Sequence, residues 1–112
     1  MIHRKEREMG IPEPDWRVFK EIRAVALDRF SRRILNECRT LCDDDAVSAH
    51  EHYLKLYELI HKRDEEMGQA FDDLRRSTAI YCLMTMWQLG LVTQAELNRF
   101  SPDTVHLVMR DN

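Results

Sequence analysis

Apolar side chains recur along this chain at spacings of three and four, which is the pattern of helices with one buried face. Phe19, Ile22, Ala26, Phe30, Ile34, Cys38 and Leu41 hold that phase up to the Asp43-Asp44-Asp45 run. Asp15 stands just before the pattern, where a carboxylate caps free amides and suits the positive end of a helix. Three aspartates are unfavourable at a negative helix end and read as a loop. A first helix is therefore predicted over 15–42. Before it lies an extended arm, 1–14, in which Gly10, Pro12 and Pro14 oppose helical geometry.

Ser48 followed by Glu51 is a capping box, so a second helix starts there. Tyr53, Leu56, Tyr57, Leu59 and Ile60 read as its buried face, and the phase continues through Met67, Phe71, Leu74, Thr78 and Tyr81. One helix from Ser48 to Leu89 would be roughly 63 Å long, whereas a compact domain of this size has a radius of gyration near 13 Å. Either the rod breaks near Asp64–Gly68, giving helices over 48–66 and 69–89, or it is shared across a dimer. The break is the preferred reading. Gly90 suits the left-handed position after a helix. Thr93 with Glu96 forms another capping box, for a short helix over 94–100, and Ser101-Pro102 opens a last one over 102–109. No stretch alternates with period two and no internal repeat occurs. The prediction is one all-α domain, residues 1–112, built as a bundle of four to five helices.

Composition narrows the class of molecule. The chain has 112 residues, 44% apolar and 33% charged, with three Gly and three Pro, which suits a single folded domain rather than a disordered chain. Seventeen basic against 20 acidic residues leave a net charge of −3, too small for a dominant attraction to nucleic acid or anionic lipid. The charge is uneven: residues 1–42 carry ten basic and seven acidic groups (+3), and 43–112 carry seven and thirteen (−6). Three cysteines, Cys38, Cys42 and Cys82, and a charged start without an export signal predict a cytoplasmic protein with reduced thiols. The longest apolar stretch, Ala79 to Val92, is shorter than the roughly 18 residues a membrane span needs.

Candidate chemistry is sparse. The segment Ala79-Ile-Tyr-Cys-Leu-Met-Thr-Met-Trp-Gln-Leu is apolar nearly all round, and such a helix must be surrounded. With few helices to cover it, Tyr81, Met84, Met86 and Trp87 become candidate protein-binding residues, for a second subunit or another protein. Basic residues on the first helix, notably Arg29, Arg32 and Arg39, offer an alternative phosphate-binding face. Acidic neighbours oppose it, at the i,i+4 spacing of Arg17 with Glu21, Asp28 with Arg32 and Arg33 with Glu37. Thr93 to Val105 looks like a helix-turn-helix, but Leu97 to Ser101 is about one helical turn too short and only Arg99 and Arg110 are basic.

Glu58-x-x-His61 supplies half of a carboxylate-bridged di-iron motif, and no second copy exists to complete it. Arg75, near the apolar phase, is expected to need a partner such as Asp64 or Glu21. No nucleophile elbow, phosphate loop or zinc motif occurs, so no catalytic, cofactor or metal residue is assigned. The sequence reading is a small cytoplasmic regulatory or adaptor protein, homodimeric and acting through helical surfaces. Its alternative is a nucleic-acid-binding regulator.

Overall fold

A computed structural model describes residues 10–110. The fold is all-α, with helices α1 (Glu13–Cys42), α2 (Ala49–Phe71), α3 (Ala79–Gln88), α4 (Gln94–Leu97) and α5 (Pro102–Arg110), and a 3₁₀ turn over Arg76–Thr78 before α3. Of the arm predicted over 1–14, residues 1–9 lie outside the described residues. Helix α1 starts two residues earlier than the Asp15 cap implies, with extended Pro12 before it and Pro14 in its first turn, where a missing amide costs nothing.

The break between the second and third predicted helices lies at Asp72–Arg75, not at Asp64–Gly68. Gly68 is helical inside α2. Its weak helix propensity, about 1 kcal/mol against Ala, is outweighed by the burial of Ala70 and Phe71 one turn later, where Phe71 stacks on Phe30 at 6.3 Å. After Phe71 the chain must reverse to bring Ala79, Cys82, Leu83 and Met86 into the same core. Asp72 and Asp73 end α2 by the argument that ends α1 at Asp43: carboxylates disfavour the negative end of a helix.

The core occupies one end of the molecule. It joins Phe19, Ile22, Ala26 and Phe30 of α1 to the last turn of α2, one face of α3, Leu91, Val92, Leu97, Phe100 and Val108. Gly90 has φ +71° and turns the chain after α3, and the Thr93–Glu96 capping box opens α4 with both reciprocal bonds in place. The rest of α1 and α2 projects from this base as an antiparallel hairpin. The molecule is therefore elongated, 61 × 26 × 23 Å with a radius of gyration of 17.3 Å, against about 13 Å for a compact chain of this length.

Arginines of α1 fasten the base. Arg23 donates to the Phe71 carbonyl at 2.5 Å, Arg33 to the Leu89 carbonyl at 2.6 Å, and Arg29 to the Leu91 carbonyl at 2.9 Å and to both Glu96 oxygens at 2.6 and 2.9 Å. In the hairpin, Arg63 of α2 bridges Glu37 of α1, at 3.1 and 2.9 Å, and Glu66 of its own helix. These hydrogen bonds raise the affinity of Arg63 for its proton.

Candidate functional site

The projecting hairpin is only one layer thick. Beyond Phe30 and before Met67, α1 and α2 bury their facing sides against each other, with Ile34, Cys38 and Leu41 opposed to Leu56 and Leu59, all half-buried. One flank carries a groove of about 1020 Å³ lined by Arg29, Arg33, Asn36, Thr40, Leu41 and Leu59. With Leu59 on that flank, helical phase sets Tyr53, Tyr57 and Ile60, at i, i+4 and i+7, on the opposite one. On α1 the same phase brings Leu27, Ser31, Leu35 and Cys38 to that opposite flank. It is a face without a charged residue along its middle.

The structure corrects the sequence reading here. Tyr53, Tyr57 and Ile60 are not buried: they are 63%, 65% and 48% exposed, and Leu35 is 53% exposed. The apolar arc of α2 is wider than α1 alone can cover, so Leu56 and Leu59 are half-hidden while the tyrosine side stays open. His50 stacks on Tyr53 with ring centroids 6.2 Å apart, and Tyr57 on His61 at 6.1 Å, which extends the open aromatic surface along α2.

The four residues singled out on α3 divide. Met86 is fully buried and belongs to the core, so it is no surface residue. Met84 and Trp87 are half-buried and pack against that core. Tyr81 is 67% exposed and borders a small cleft of about 360 Å³ with Ile80, Leu107 and Gly10. The apolar circumference of α3 is thus covered on all but the Tyr81 side by helices of its own chain. Burial also pushes the Cys82 thiol up from its ordinary value, with the Asp73 carboxylate adding to the effect.

The arginines of the alternative reading all have partners. Arg29 is clamped on Glu96, Arg32 donates to Asp28 at 2.7 Å, and Arg39 donates to Asn36 at 2.8 Å. The hydrogen bonds from Arg29 hold the Glu96 carboxyl at about 2, with help from Thr93. Of the predicted i,i+4 pairs only Asp28–Arg32 forms. Arg17 pairs with Glu13, and Arg33 and Glu37 turn to the base and to Arg63. Arg75 is exposed on Asp73 rather than buried on Asp64 or Glu21.

Among the described residues, no group of three or more His, Cys, Asp or Glu is placed to hold a metal ion. His61 lies 3.7 Å from Glu65, both exposed, and Cys38, Cys42 and Cys82 are free thiols. No helix among the described residues is long and apolar enough to cross a membrane. No protein-family model, curated protein or solved structure matches this chain.

Proposed function

We propose that this protein is a small regulatory or adaptor protein that works by protein contact through its α1–α2 hairpin, as a homodimer in the cytoplasm. The observation that carries this reading is the open uncharged flank, with two tyrosines about two-thirds exposed on a hairpin one layer thick. Helices gain stability by burying an apolar stripe in a second layer, and the distal hairpin lacks one. Contiguous exposed apolar patches of a few hundred Å² mark interaction sites, and Tyr is enriched where such sites close. The free thiols suit a reducing compartment. The nucleic-acid reading has less support, because Arg29, Arg32 and Arg39 already have partners within the chain.

A photo-activatable cross-linking residue at position 57, compared with one at Lys62 on the polar outer side of α2, tests the reading in living cells. Discrete protein adducts, to itself or to another protein, are expected from position 57 and not from position 62. Equal, weak labelling from both positions overturns it.

A further inference from the structure

We infer that the occupant of the hairpin flank is a second copy of this chain, laid antiparallel so that each acidic tip meets the Lys20 end of the other copy's α1. The inference rests on the reading of the hairpin as an interaction surface and adds the partner and its register. The flank has opposite charge at its two ends. At the tip stand Asp43, Asp44 and Asp45, all exposed. At the base end of the same side of α1 stands Lys20, exposed, with its ammonium 5.4 Å above the Trp16 ring. Between them the flank is uncharged.

A two-fold axis that lays Lys20 beside the partner's Asp43 passes α1 near Ser31. The same register sets Leu27 against the partner's Leu35, Ala24 against the partner's Cys38, and Ser31 against the partner's Ser31. Apolar groups then meet apolar groups, and the charge contact is made twice. The other symmetric arrangement, with both tips at one end, gathers two Asp43-Asp44-Asp45 runs, and like charges brought together across an interface disfavour it. A two-helix face about 30 Å long and about 20 Å across offers roughly 600 Å² per copy. That approaches the roughly 800 Å² per partner of a stable interface.

The test uses the full chain. Light scattering at micromolar concentrations is expected to give twice the 13.4 kDa chain mass. Ser31→Cys is expected to form a disulfide-linked dimer on mild oxidation at least about tenfold faster than Lys62→Cys, since only a residue at the axis meets its own copy within disulfide reach. Lys20→Glu and the pair Asp43→Lys/Asp45→Lys should each weaken the dimer about tenfold, and all three changes in one chain should restore it to within about threefold.

Circular dichroism melts of each variant separate a lost interface from a lost fold. A monomer at every concentration overturns the inference, while adducts from position 57 to another protein would leave the interaction reading standing. A dimer in which Ser31→Cys has no advantage, or in which the combined charge variant is no tighter than the weaker parent, overturns the antiparallel register alone.

Discussion

Asp15, in the first turn of α1, accepts the Ser101 amide at 2.8 Å and so caps the start of α5 from 86 residues away. Its second oxygen takes the hydroxyls of Ser101, at 2.7 Å, and Thr104, at 2.6 Å. One buried carboxylate thereby stands at the positive ends of two helices, where negative charge is favoured. Asp15→Ala strands three donors in the core. It is expected to destabilise the fold by about 3 kcal/mol in chemical denaturation, and Asp15→Asn by nearly as much, since an amide cannot accept at both positions.

Glu96 sets an acid limb. Its carboxyl is held at about 2, below the ordinary 4.5, so the folded state binds its proton more weakly than the unfolded chain. The resulting stability is complete above about pH 5 and is lost as pH falls towards 2. With Arg29 partly exposed and screened, that share is on the order of 2 kcal/mol. Glu96→Gln should be less stable than the native chain at neutral pH and should close most of that gap near pH 2. Denaturation midpoints taken across that range measure the difference.

Gly10 is fixed by its neighbours as well as by its backbone. It has φ +79°, and a Cβ there would lie 2.0 Å from the Arg76 carbonyl oxygen. Arg76 in turn donates to the Ile11 carbonyl at 2.6 Å, so the chain before α1 is tied to the 3₁₀ turn in both directions. Gly10→Ala combines strain with a backbone clash and is expected to cost about 2–4 kcal/mol. Thermal melts should show it, and Gly68→Ala, which meets only the Asp72 carboxylate at 3.1 Å, should be far milder.

Met86 and Tyr81 lie on opposite sides of α3. Met86→Ala opens a cavity in the core and should cost about 2–5 kcal/mol. Tyr81→Ala removes a ring that is mostly in water and should stay within about 0.5 kcal/mol. Equal losses from the two variants would contradict the described packing of α3.

Local physics made most of the helices legible. The 3.6-residue phase of Phe19 to Leu41, the Thr93–Glu96 box and the left-handed Gly90 are determined within a few residues of chain, and the structure keeps them. The tertiary partners of each polar group were not legible. Asp15 suits an N-cap of α1 equally well by spacing, and only the docking of α5 makes it a cap for a different helix. Arg33 and Glu37 have the spacing of an ion pair, yet backbone carbonyls at 89–90 and Arg63 offer better geometry. The tyrosines of α2 were misread because periodicity reports which side chains share a face, not whether another layer reaches it. The width of that apolar arc was the available signal.

The position of the core at the two ends of the sequence also bears on synthesis. Helix α1 leaves the ribosome first, but Asp15 must wait 86 residues for Ser101, about 4–17 s at 5–20 residues per second. Throughout that interval Phe19, Ile22 and Phe30 have no core to enter. Only α2, which follows after a short turn, arrives early enough to cover part of α1. The hairpin therefore serves the nascent chain as a temporary shelter, and substitutions that loosen it, such as Arg63→Ala, will lower soluble yield more than they lower the stability of the finished protein.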